Sequence, residues 1–248
     1  MTLRTFKLRI LKVTKDFLLV SRLMQILTPF NKLFLFINNF NSLTSWVHKS
    51  KKEKFLINDF YRPLRNYWDR EKSFQAIVDH YGCDSKQITY LEFGVAGGES
   101  FNWWMDKCKS SNSRFFGFDT FEGLPEQWGM YGKGEMHSDV PVLNDKRGKY
   151  YKGIFQDTLV GFIDENRALL KSDAVRILHM DADLFSSTIF VLSQMYAFLK
   201  PGDIIMFDEF NVCNHEYLAF KIFTESFYVK LRPISAQNNY LHASFVVE

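Results

Sequence analysis

The 248-residue chain predicts a doubly wound α/β fold preceded by a helical extension, and three observations carry that prediction. From Phe55 onward, short apolar runs alternate with helix-period segments, the pattern of a parallel sheet covered on both faces. One run, Ile88 to Phe93, breaks into three glycines among five residues, Gly94, Gly97 and Gly98, just before a helix start. Ahead of this body, residues 1–54 hold eleven Lys/Arg against Asp16 and Glu53, so an arm of net +9 precedes a body of net −6.

With 46% hydrophobic and 17% aromatic residues the chain has material for one large core. Cys83, Cys108 and Cys213 are scattered without CxxC spacing, which suits reduced structural thiols of a cytoplasmic protein and disfavours zinc. Arg4, Lys7, Arg9, Lys12 and Lys15 interrupt the opening apolar residues and no small-residue cleavage site follows, so no secretory signal is read. The most apolar window, Phe17 to Ile37, contains Arg22, Pro29, Asn31 and Lys32 and falls short of the ~20 apolar residues that a span needs.

In order along the chain, Leu3, Phe6, Ile10, Val13, Phe17, Val20, Met24 and Leu27 predict one amphipathic helix ending before Pro29. Its apolar face packs on its own domain or a dimer partner, forms a coiled-coil seam, or lies on an anionic membrane. Phe30 to Phe40 is apolar and Asn-rich without a clear period, and His48 to Lys54 is a polar connector at the domain boundary. The domains are thus a basic amphipathic extension, 1–54, and an α/β domain, 55–248. Ser73–Tyr81 reads as a helix closing at Gly82, followed by the strand Ile88–Phe93, the helix Glu99–Cys108 and the strand Arg114–Asp119. A long glycine-bearing loop runs to about Gly148, then come the strand Tyr150–Phe155 and the helix Thr158–Leu170. The strand Val175–Met180, the helix Phe185–Leu199 and the strand Asp203–Phe207 follow. The helix His215–Phe227 and an antiparallel pair, Tyr228–Leu231 with Leu241–Val247, close the fold.

In such sheets ligands bind beyond the carboxyl ends of the strands, and here strands end in Glu92/Gly94, Asp119, Asp181 and Asp208/Glu209. Ala96 and Glu99 stand where a dinucleotide fingerprint needs its second and third glycines, so a pyrophosphate cofactor is disfavoured. The acidic residue Glu92 two positions before Gly94, with Gly98 beyond, suits a nucleoside binder, and Asp119 suits ribose hydroxyls. Asp181, Asp208 and Glu209 bring three carboxylates to one edge. They either hold a hard divalent cation such as Mg²⁺ or cap the next helix and face water.

Five runs together carry a family likeness: Leu91–Gly98, Phe116–Pro125, Gly153–Leu159, His179–Thr188 and Pro201–Phe210. In this order and spacing, over about residues 73–247, the chain resembles class I S-adenosylmethionine-dependent methyltransferases, and most closely the macrocin O-methyltransferase (TylF/MycF-like) group, which methylates sugar hydroxyls with Mg²⁺. The resemblance implies a Rossmann-like, seven-stranded methyltransferase sheet and an O-methyltransferase using S-adenosyl-L-methionine and Mg²⁺. Its acceptor would be a sugar or other polyhydroxylated molecule. It also implies that Glu92, Gly94, Gly98 and Ser100 line the methionine end of the cofactor, Asp119 holds its ribose, and Gln156 and Asp157 lie near the adenine. Asp181, Asp208 and Glu209 match the family's metal ligands, with Glu209 where Asp is frequent, and Ala96 replaces a common glycine. Asp181 joins the chemistry directly, and His137 in the long loop is the candidate base, against the alternative of a plain surface histidine. Two readings compete: N-methylation or catechol-type methylation by the same scaffold, and a degenerate cofactor-binding module that acts as an interaction protein. The expected partners are a small-molecule or glycan acceptor and a second copy of the chain, with no nucleic acid. The expected location is cytoplasmic, with residues 1–40 offering contact to the inner membrane face.

Overall fold

The computed structural model describes residues 2–248, and the chain divides into two compact units, one ending at Ser42 and one spanning Leu43–Glu248. In the first unit, helix α1 (Leu3–Ser21) starts at Thr2, whose hydroxyl accepts the Thr5 N–H at 3.3 Å. The expected single helix stops early, because Arg22 takes the left-handed conformation at φ 56°. A 3₁₀ helix, Leu23–Phe30, carries Pro29 inside it, and α2 (Asn31–Ser50) then begins in the stretch that showed no clear period.

From Leu43 onward α2 belongs to the second unit. There the Trp46 ring meets Phe210, Phe220 and Tyr240 at centroid distances of 5.0, 5.6 and 5.9 Å. His48 therefore lies in a helix rather than in a polar connector, because one face of that last segment packs into the body.

The second unit runs through β1 (Ile57–Asn58), α3 (Arg70–Tyr81), β2 (Ile88–Phe93), α4 (Glu99–Lys107), β3 (Arg114–Asp119) and β4 (Gly148–Lys152). It continues with α5 (Phe155–Glu165), α6 (Arg167–Leu170), β5 (Val175–Met180), α7 (Phe185–Met195), β6 (Ile204–Phe207), α8 (Glu216–Phe227), β7 (Leu231–Gln237) and β8 (His242–Val247). The sheet order is β1-β7-β8-β6-β5-β2-β3-β4; β8 alone runs antiparallel to its neighbours. Seven strands form the expected doubly wound sheet, and the two-residue β1 adds an eighth at the β7 edge.

Period-two alternation divides the core. Leu91 and Phe93 of β2 face the side covered by α5, α7 and α8, while Ile88 and Tyr90 face the side covered by α3 and α4. The strand expected at Tyr228–Leu231 begins only at Leu231, because Tyr228 caps α8 in the left-handed region at φ 55°. Pro233 inside β7 coincides with a register shift between Pro233 and Ser235, which relieves the missing N–H. The expected helix Thr158–Leu170 is two helices, α5 and α6, broken at Asn166.

Candidate active site

The site stands on backbone continuity at the carboxyl edge of the sheet. Past the last strand residues the ladder persists for one more rung: Gly94 N–H donates to Phe118 O at 2.9 Å, Asp181 N–H to Phe93 O at 3.0 Å, and Asp208 N–H to Met180 O at 2.9 Å. These bonds fix the chain where four strands deliver acidic side chains. Gly94 sits at φ 102°, and a Cβ there would lie 1.8 Å from Asp181 O, so only glycine admits this close approach.

A cavity of about 490 Å³ opens at that edge. Glu92, Gly94, Ser100, Asp119 and Gln156 line one side, and Asp181, Asp183, Asp208 and Glu209 line the other. Tyr67, Trp68, Trp128, Tyr131 and Met136 frame the rest. Of the residues named from sequence, Gly98, Asp157 and His137 are not on the lining. Gly98 caps the start of α4 at φ 82°, Asp157 is exposed in the first turn of α5, and His137 is exposed in the long loop.

Asp119 knits the glycine turn to β3. Its Oδ2 accepts the Val95 and Ala96 N–H groups at 2.7 and 2.9 Å, and its Oδ1 accepts Phe121 N–H at 2.7 Å. Ala96 holds φ 45°, so the residue that replaces a glycine occupies a backbone region glycine favours, and Asp119 helps to keep it there.

Asp208 is the best-partnered carboxylate of the rim. Arg70 donates to its Oδ1 at 3.0 Å, the Tyr67 hydroxyl donates to its Oδ2 at 2.7 Å, and His242 Nδ1 lies 3.1 Å from Oδ1. Burial alone would raise its pKa, but His179, His242 and Arg70 outweigh that and hold Asp208 well below the ordinary carboxylate range. The others lack such support. Burial and the Asp208 charge push Asp181 well up against Arg70 and His179, although its side chain keeps 23% exposure toward the cavity. Burial with Asp208 and Asp119 lifts Asp183 to about 7, and burial with Asp208 and Asp183 lifts Glu209 to about 8.

Beneath the rim, His179 on β5 lies between Glu92 and Asp208. The Tyr90 hydroxyl donates to Glu92, so its oxygen accepts from His179 Nδ1–H at 2.8 Å, while Nε2 lies 3.8 Å from Asp208 Oδ1. Burial opposes its charge, yet the nearby carboxylates of Asp208 and Glu92, each 3.8 Å away, raise His179 to about 9. It serves as a buried cation under the two carboxylates.

Ligand atoms of His179, Asp181 and Asp208 lie within 4.8 Å of one another, whereas Glu209 stands outside that trio. Glu216 Oε2 accepts the Glu209 N–H at 2.9 Å, and its other oxygen is buried without a partner. Burial first and mutual repulsion second raise these carboxyls, so ionised together they would leave an excess of negative charge beyond what Arg70 and His179 offset. A hard divalent cation suits these oxygen donors and that excess charge.

The loop from Thr120 to Arg147 is ordered over the site. Leu124 N–H donates to Glu135 O and Gly134 N–H to Leu124 O, each at 2.9 Å, and Ser186 Oγ donates to Glu126 Oε1 at 2.6 Å. The Trp128 and Tyr131 rings stack at 5.6 Å and 15° on the cavity wall. Arg70, Tyr67, Trp68, Asp183 and His242 were not singled out as site residues from sequence. The one signal available for Asp183 was its place two residues after Asp181.

The macrocin-O-methyltransferase (TylF) family model matches residues 70–235. Among solved structures, the calicheamicin methyltransferase CalS11 superposes with a TM-score of 0.55 at 19% identity, covering 73% of this chain and 77% of its own. The O-methyltransferase NovP superposes with a TM-score of 0.51 at 16% identity, covering 73% and 78%. At these identities the two structures share the fold. No curated protein matches the sequence.

Proposed function

The chain belongs to the macrocin-O-methyltransferase (TylF) family and is an S-adenosylmethionine-dependent O-methyltransferase, and from that premise we propose that it methylates a hydroxyl of a sugar or other polyhydroxylated acceptor with Mg²⁺ at its acidic rim. The observation that carries this reading is the meeting of the glycine corner and the carboxylate rim in one cavity. CalS11, described as a TDP-rhamnose 3'-O-methyltransferase, shares the fold, and an acceptor of that class is our reading here.

Glu92, Gly94 and Ser100 receive the methionine end of the cofactor, Asp119 its ribose, and Gln156 its adenine. Asp157, next in the chain after Gln156, is exposed and off the cavity lining, so no cofactor contact is assigned to it. Asp181, Asp208 and Glu209 would hold the cation, beside Arg70, whose contact to Asp181 at 3.4 Å is the longer of its two. A bound divalent cation supplies positive charge beside the acceptor oxygen and lowers its pKa. Transfer needs that oxygen in line with the methyl–sulfur bond and stripped of its proton, which passes to a carboxylate of the rim. We assign proton removal to Asp183, which faces the cavity beside Asp181 and is not among the cation's ligands, whereas His137 does not reach the cavity. Trp128, Tyr131 and Trp68 exclude water from the acceptor's apolar faces. The three free, buried cysteines suit a reducing cytoplasm, which is part of the same reading.

The test is S-adenosylhomocysteine release with a panel of nucleotide sugars, run with and without EDTA, alongside calorimetry of S-adenosylhomocysteine binding. Asp208→Asn is expected to abolish turnover while cofactor affinity stays within about threefold. Full turnover in excess EDTA overturns the metal role, and a protein that turns over only catechols or amines overturns the acceptor class.

A further inference from the structure

We propose that residues 3–40 form a membrane-surface anchor that lies in the interface of an anionic bilayer. The first unit has almost no interior. Of its described residues up to Ser42, Asn39 alone is buried, and twenty large hydrophobic side chains from Leu3 to Phe40 are exposed, Phe17 at 61% and Val20 at 83%. An exposed apolar area of this extent marks an interaction surface rather than ordinary surface scatter.

The arrangement on α1 specifies the kind of surface. At about 100° per residue, Leu3, Phe6, Ile10, Val13, Phe17 and Val20 fall within an arc of about 100°. Lys7 and Arg9 border that arc on its two sides, placed to reach headgroups while their stems lie along acyl chains. Seven Lys/Arg against the single acid Asp16 leave residues 1–42 at net +6. Among the described residues no helix is long and apolar enough to cross a membrane, so the segment lies on the bilayer and does not span it.

Charge selects lipid over a second copy of the chain. Symmetric pairing would cover the apolar seam but set one +6 unit against another, with Asp16 the only acid available to offset it. An anionic leaflet covers the seam and neutralises the cations at once. This proposal concerns the first unit by itself and stands independently of the acceptor reading.

The experiment is co-sedimentation of the full chain with phosphatidylcholine vesicles, with and without phosphatidylglycerol, alongside analytical ultracentrifugation in the absence of lipid. The expected result is binding to the phosphatidylglycerol vesicles that is at least about tenfold stronger than to phosphatidylcholine alone and weakens with salt. Ile10→Asp with Phe17→Asp, and separately Lys7→Glu with Lys12→Glu, are each expected to abolish it. S-adenosylhomocysteine affinity should stay unchanged in both, which shows the folded body intact. Equal binding to both vesicle types, binding that survives both variants, or no binding overturns the proposal. So does a lipid-free dimer that Ile10→Asp with Phe17→Asp disperses while vesicles capture nothing, which would make a second copy the occupant.

Discussion

Asp119 does two things with one carboxylate: it holds the Val95 and Ala96 N–H groups, and it faces the cavity where a ribose is expected. Asp119→Ala should therefore weaken S-adenosylhomocysteine binding by about thirtyfold or more, the loss of a hydrogen bond to a charged acceptor. Calorimetry reads this directly, and unchanged affinity removes the ribose role. Gly94→Ala tests the other side of the corner, since its Cβ would sit 1.8 Å from Asp181 O. It should lower the melting temperature and abolish cofactor binding together. Glu92, Asp119, Asp181 and Asp208 were legible in the sequence because each closes an apolar run, and strand ends share an edge. Arg70 and Tyr67 were not, because they meet Asp208 across 138 and 141 residues, and no local pattern marks such a contact. His179 makes a hydrogen bond to Tyr90 inside the sheet. Its charge, however, depends on Glu92 and Asp208, which lie on neighbouring strands.

At the scale of elements, the buried strands and the helices between them were legible because apolar runs four to six residues long leave little else for the backbone to do. What escaped was structure set by single residues or by tertiary contact. The turn at Arg22, the caps at Tyr228 and Asn166, and the shift at Pro233 each moved a boundary. The final turns of α2 are helical with Trp46 set among rings from β8, α8 and the loops beside them. The link between β5 and β6 at the edge away from the site is a buried ion pair. Asp203 accepts Arg176 N–H at 3.0 Å and Nε–H at 2.8 Å, and also takes Lys200 N–H at 2.8 Å, with both side chains at most 2% exposed. Asp203→Ala strands the Arg176 charge in the core and should cost about 3–5 kcal/mol in urea unfolding. Replacing both partners, Asp203→Leu with Arg176→Met, should recover much of that loss. A double variant no more stable than the single one would show that the site needs the charges themselves.

Across the whole molecule, a basic first unit precedes an acidic body, and the body concentrates acid where the sheet ends. That concentration makes stability depend on pH in a definite sense. His179 ordinarily titrates near 6.5 and is raised to about 9, so its stabilisation is complete below pH 6.5 and is lost as pH rises through about 9. Asp183 and Glu209, ordinarily near 3.8 and 4.5, are raised to about 7 and about 8, so each loses stability between its ordinary and its raised value, and only the upper part of that loss falls above pH 6.5. All three act in one direction, and in metal-free buffer the melting temperature should fall between pH 6.5 and 9. His179 by itself accounts for a change on the order of 3 kcal/mol. The divalent cation proposed on Asp181, Asp208 and Glu209 would replace the missing positive charge, and it would bind best with those groups ionised. Added Mg²⁺ should therefore raise the melting temperature little at pH 6.5 and most near pH 9, and Asp208→Asn should remove the difference. Thermal melts over that range, with and without Mg²⁺, read the effect without any turnover. A Mg²⁺ increment that does not grow with pH, or that persists in Asp208→Asn, would mean the cation binds somewhere other than this rim.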